Sequence, residues 1–136
     1  MFKSAKLGKE IVVTVANKIG VLADMTKILA DSGINMMAVA GFVTGGEAKI
    51  MLVAADNLRA IDALRKRNYS AIKENEVVIV EVEDKAGALR NIAVKLAGES
   101  IDIKHIYGTN CGCGGPVMIV FSTTDNERAV VALMAR

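Results

Sequence analysis

Two loops carry residue types that suit recognition of a small zwitterion. The first is Asn17-Lys18-Ile19-Gly20, followed by Val21-Leu22; the second is Asp84-Lys85-Ala86-Gly87, followed by Ala88-Leu89. In each, a side-chain acceptor stands three residues before a glycine, and the glycine directly precedes an apolar stripe of helical spacing. A helix start leaves backbone N–H groups without intrahelical partners, and the aligned peptide dipoles give them partial positive charge. A carboxylate fits there when no side chain shields the backbone, which is a use for Gly20 and Gly87. An ammonium group needs acceptors instead. Asn17, the amides around Gly20, and Asn35 beyond the helix together offer groups for both ends of a free α-amino acid. The competing reading is structural, with Gly20 a tight turn and Asn17 a helix cap. Asp84 and Asp102 take the places of Asn17 and Asn35 in the second copy. Carboxylates accept from an ammonium but repel a carboxylate, so the first copy is the better expected binder.

Other reactive types are weaker candidates. Cys111-Gly112-Cys113 sets two thiols one residue apart, with the single histidine, His105, six residues before the first. Such a pair suits a soft metal or an oxidation response. Structural zinc, however, prefers four ligands at wider spacing, and a disulfide across two residues is strained. The run replaces Thr44-Gly45-Gly46-Glu47 of the first copy and reads most simply as a hairpin. Neither loop has the arginine of a phosphate-cradling catalytic loop. Arg90, one residue past the second, reads as a solvated helix position. No nucleophile–base pair, paired carboxylates or P-loop is present, so neither catalysis nor a cofactor is expected.

The elements that must position these loops are repeated. At an offset of 67, Asn17 falls on Asp84, Gly20 on Gly87, Leu22 on Leu89, Ile34 on Ile101 and Gly41 on Gly108. Further on, DNLRAIDALRKR (56–67) resembles DNERAVVALMAR (125–136), now at an offset of 69. Two copies of one unit imply duplication into a pair of small domains, 1–73 and 74–136. In the first copy, alternation over 9–16 predicts a strand, and Val21, Leu22, Met25, Ile28 and Leu29 share a helical face. Ser32-Gly33 stops that helix. Strands over 34–40 and 48–54 flank a turn at 44–47. Asp56 or Asn57 caps a second helix with Ile61 and Leu64 inward, and 69–73 forms a short fourth strand. The order βαββαβ predicts an α+β, ferredoxin-like plait, an antiparallel sheet with both helices on one face. The second copy reaches Arg136 without residues for its own last strand. Its first strand, 76–83, then needs cover. The reading assigns that role to 69–73, turned back at Glu74-Asn75 to lie between the two first strands; the alternative is pairing with another chain.

Composition agrees with a packed globular protein. The 136 residues are 52% apolar and 24% charged, ample for a core. A net charge of +2 and 4% aromatics argue against nucleic acid or an anionic membrane surface as partner. An RNA-binding plait needs stacking aromatics on its central strands, and the two third strands supply only Phe121. Met36, Met37 and Met51 read as core filling. No secretory signal or spanning segment is visible, and a cytoplasmic location is expected.

The pattern Asn/Asp-Lys-x-Gly-x-Leu, a helix, then Gly/Ser-Ile-Asn/Asp, all within βαββαβ, resembles the ACT domain. These are small regulatory modules that bind amino acids. The resemblance covers nearly the whole chain as two tandem copies of a stand-alone type, with Ile19 and Ala86 where the family usually has proline. The first copy is similar to the serine-sensing domain of phosphoglycerate dehydrogenase, with Val15 where that domain has a histidine. The resemblance implies ligand contacts at Asn17, Ile19, Gly20, Val21, Leu22 and Asn35, and at Asp84, Ala86, Gly87, Ala88, Leu89 and Asp102. It further implies binding where two ACT modules meet, a homodimer, and a metabolic enzyme or regulator as the controlled target. A protein–protein interaction module that has lost its ligand is the alternative.

Overall fold

The computed structural model describes residues 2–110 and 112–135. The chain divides into two compact units, one of residues 9–75 and one of residues 1–8 with 76–136.

In the 9–75 unit, the second half of β1 (Phe2–Ala16) leads to α1 (Val21–Asp31), β2 (Met36–Thr44), β3 (Glu47–Ala54), α2 (Asn57–Lys66) and the start of β4 (Ile72–Val82). The strand order is β2-β3-β1-β4. Ile11 to Ala16 run antiparallel against Leu52 to Glu47, and Met36 to Thr44 against Ala54 to Glu47. The β2–β3 turn is Gly45-Gly46, with φ of 58° and 83°. Two successive positive φ angles match the twist of a two-residue hairpin, and glycine adopts them without strain. The core joins Ile11, Val13, Met25, Leu29, Leu52 and Leu64. Val21, Met25, Ile28 and Leu29 form the buried stripe of α1, whereas Leu22, expected inward, is half exposed.

The other unit repeats this plan with the end of β4, α3 (Ala88–Gly98), β5 (Ile103–Thr109), β6 (Val117–Thr123) and α4 (Asn126–Met134). Its order is β5-β6-β4-β1. The fourth strand is therefore the first half of β1, whose Ala5 is buried in the core with Val78, Val80, Leu96, Phe121 and Leu133. This corrects two expectations. Residues 69–71 are not strand, and Glu74-Asn75 is not a turn. Residues 72–82 run on as a single strand, so 69–73 cannot fold back on 76–83. The cover for 76–82 comes instead from the chain's first residues, which the boundary at 73 had grouped with the first domain. Gly8 permits this approach: a Cβ there would lie 2.5 Å from Cδ1 of Ile79.

The duplicated DNxR motif explains itself in hydrogen bonds. Asp56 and Asp125 cap α2 and α4 by accepting from the backbone N–H of Arg59 and Arg128, each at 3.1 Å. Asn57 accepts from Ala54 N–H and donates to Lys9 carbonyl, both 3.0 Å. Asn126 likewise joins Thr123 N–H and Glu76 carbonyl, at 2.8 and 3.1 Å. The Arg59 and Arg128 guanidinium groups donate to the carbonyls of Ser32 and Glu99, at 2.7 and 2.8 Å. Each motif thus caps its own helix, clasps the end of one strand to the middle of another, and satisfies the C-terminal end of the preceding helix.

Candidate ligand-binding site

Each unit opens a cleft beside its strand-to-helix loop. In the 9–75 unit it measures about 440 Å³ and lies between Asn17, Lys18, Gly20 and Leu22 on one side and the 39–43 stretch of β2 on the other. In the second unit it measures about 420 Å³, between Asp84, Lys85, Ala88 and Leu89 and residues 106–108 of β5, with Asn110 beyond the strand. The walls correspond at the repeat offsets: Val39 with Ile106, Gly41 with Gly108, Val43 with Asn110, and Ile50 with Ile119. Two clefts of similar size built from equivalent residues are a property of the repeated unit.

The glycines are set by backbone conformation. Gly20 and Gly87 sit at the helix N-caps with φ of 96° and 88°, and neither helix start has a side-chain cap. A Cβ at either position would have nothing within 4 Å, so the left-handed backbone, not crowding, calls for glycine. The first helix therefore presents N–H groups that no side chain satisfies, next to the cleft. In the second copy one amide is already used, since Ala88 N–H donates to the carbonyl of Lys85 at 3.3 Å.

Each loop is tied to its following hairpin differently. Asn17 N–H donates to Gly46 carbonyl at 2.8 Å, which leaves the side-chain amide for other partners. Asp84 instead receives the Asn110 amide through its carboxylate at 2.9 Å, and the Asn110 carbonyl oxygen accepts from Gly112 N–H at 2.8 Å. Charge separates the clefts further. Lys18 is the ionised side chain lining the first; the second is lined by Glu83, Asp84 and Lys85, with Glu83 and Lys85 3.8 Å apart.

Among the residues expected to bind, Asn17, Gly20, Val21 and Leu22 line the first cleft, and Asp84, Ala88 and Leu89 the second. Ile19 points fully into solvent, and Ala86 and Gly87 are exposed beside their cleft without lining it. Asn35 and Asp102 line neither. They precede β2 and β5, where their carbonyls accept from Ala55 and Thr124 N–H at 2.9 and 3.0 Å. The strand walls were missed by sequence reasoning, although the repeated Gly41 and Gly108 signalled them. A Cβ on Gly41 would come within 3.3 Å of Ile50 Cδ1, so the glycine keeps the strand wall thin. No group of His, Cys, Asp and Glu among the described residues is arranged to hold a metal, and Cys111 lies outside them. No helix among them is long and apolar enough to cross a membrane.

Residues 9–67 match the family model of the ACT domain. The ACT match begins at Lys9, where the 9–75 unit begins, and contains the first cleft entire. No curated protein matches the chain. Among solved structures, protein BT0572 from Bacteroides thetaiotaomicron superposes with a TM-score of 0.85 at 21% identity, over 95% of this chain and 88% of that one. The regulatory subunit of aspartate kinase from Thermus thermophilus, in ligand-free form, gives 0.68 at 14% identity over 97% and 95%. The aspartokinase alpha and beta subunits give 0.64 at 19% over 98% and 96%. These likenesses extend the shared fold past the ACT match to almost the whole chain.

Proposed function

We propose that the chain is a non-catalytic regulatory protein of two tandem ACT modules that binds a free L-amino acid at its strand-to-helix loops. The observation that carries this reading is the first cleft: uncapped helix amides and an available Asn17 amide beside an apolar strand wall, inside the residues that match the ACT domain. The amides suit a carboxylate and the asparagine carbonyl suits an ammonium. The apolar walls of Val39, Val43 and Ile50 are left for a side chain.

The first cleft is the stronger binder. It keeps the amide that the second copy spends on Lys85, and Lys18 adds positive charge where Asp84 and Glu83 add negative. Because Asn35 lines neither cleft, its proposed contact is made to ligand held against a second ACT surface, as in a homodimer. Likeness to a regulatory subunit of aspartate kinase is the ground for proposing control of a metabolic enzyme as the output.

A thermal-shift screen of the common amino acids tests the reading. Ligand at one hundred times its dissociation constant stabilises by about 2.7 kcal/mol. Asn17→Ala removes most of that shift. An absence of any shift across the screen overturns ligand binding and leaves the interaction-module reading, for which the half-exposed Val39, Phe42 and Val43 on β2 would be the docking edge.

A further inference from the structure

We propose, building on the amino-acid reading above, that the first cleft selects L-amino acids with an apolar side chain and that Val43 sets this preference. In β2, Val39, Gly41 and Val43 alternate and so share one face. Gly41 pairs across the sheet with Ile50, and a Cβ on Gly41 would come within 3.3 Å of Ile50 Cδ1. Ile50 thus fills the place that the glycine leaves. The strand wall of the cleft is one aliphatic strip of Val39, Ile50 and Val43, faced by Leu22 across the opening.

The second unit shows what a polar residue does at the same place. Its strip is Ile106, Ile119 and, at the position of Val43, Asn110. The Asn110 amide donates to the Asp84 carboxylate at 2.9 Å, so this strand position lies within hydrogen-bond reach of the loop residue. Asn17 and Val43 hold the same two positions in the first unit. Val43 offers no hydrogen bond, so a ligand whose ammonium meets Asn17 finds hydrocarbon directly beyond it. Each polar side-chain class is then short of a partner. A hydroxyl or amide laid on the strip loses hydrogen bonds to water without replacing them. A basic group finds no acidic side chain among the described residues that line the cleft. An acidic group must share Lys18 with the α-carboxylate. An apolar side chain gains by taking the strip out of water.

The test is a nuclear magnetic resonance titration of the full chain, followed at Leu22, Val39 and Ile50. The probes are valine and threonine, which share a shape and differ by a methyl against a hydroxyl, then leucine, phenylalanine, serine, aspartate and lysine. Valine moves these resonances and binds roughly tenfold or more tighter than threonine, the discrimination of an apolar site against an isostere that carries a hydroxyl. Val43→Thr, a change of the same shape at a half-exposed strand position, brings that ratio towards one. Leucine above phenylalanine assigns the cleft to aliphatic ligands, and the reverse assigns it to aromatic ones; both are apolar and support the proposal. Threonine, serine, aspartate or lysine binding as tightly as valine overturns the proposal and leaves amino-acid binding standing. A ratio unchanged in Val43→Thr overturns the role of Val43. Movement confined to Leu89 and Ile106 places the ligand in the second cleft and overturns the proposal as well. No movement with any probe overturns it together with the amino-acid reading.

Discussion

Two residues concentrate conditions that single substitutions can test. Gly20 holds φ of 96° with free space around its Cβ position. Gly20→Ala then meets no clash and costs only the left-handed backbone, about 1–2 kcal/mol. Gly20→Asn costs less, since asparagine tolerates that region. Urea denaturation of both variants checks this; equal losses would point to a cause other than backbone conformation. Tyr69 is the second residue. Burial, then the hydrogen bond to Asp24, then the charge of that carboxylate, push its phenol up to about 12 from an ordinary 10.0. The folded state thus holds the proton more tightly than the unfolded one. The stabilisation is complete below pH 10 and is lost as pH rises through 12. Ultraviolet titration of phenolate in a Tyr107→Phe background, which leaves Tyr69 as the remaining tyrosine, should show a late transition near 12. A transition at the ordinary value would contradict the hydrogen bond.

Elements show which signals are local and which are not. Asp56→Ala and Asp125→Ala each remove one cap acceptor and should each cost about 1 kcal/mol in chemical denaturation, because the two caps share one geometry. The α2 cap was readable from sequence as Asp56 or Asn57, as were the Gly45-Gly46 hairpin and the α1 stop at Ser32-Gly33, since each depends on neighbours in the chain. The strand at 2–8 was not. Its cover is needed some seventy residues away, and among the described residues its core contribution is one small side chain, Ala5. The continuous β4 was hidden for a related reason. Lys73, Glu74, Asn75 and Glu76 are all exposed, so a mid-strand run imitates a polar loop. The loops of the candidate site were legible by residue type, but the β2 wall was cut short by ending that strand at Ala40 when it continues to Thr44. Gly8→Val tests the least legible element. Its Cβ would fall 2.5 Å from Ile79 Cδ1, in the strand that covers the edge of β4 opposite β6. A loss of about 1–3 kcal/mol is expected from overpacking.

At the scale of the whole molecule, the duplication is closed by exchange of strand segments along the chain. β1 gives residues 9–16 to one unit and 2–8 to the other, and β4 is divided in the same way at Asn75 and Glu76. Each unit then reaches the same four-strand order. An uncovered first strand would leave a row of backbone donors and acceptors open to pairing with other chains. Residues 2–8 remove that hazard. A chain starting at Lys9 keeps every residue of the 9–75 unit and of the ACT match but loses Ala5 from the second core. Hydrogen exchange should then quicken through 76–82 and spread to the packed faces of α3 and α4, while amides of β2, β3 and α1 stay protected. Such a chain should also self-associate with rising concentration through the bared strand, which light scattering would register. Unchanged protection across 76–82 in the shortened chain would show that the covering strand contributes nothing to the second unit.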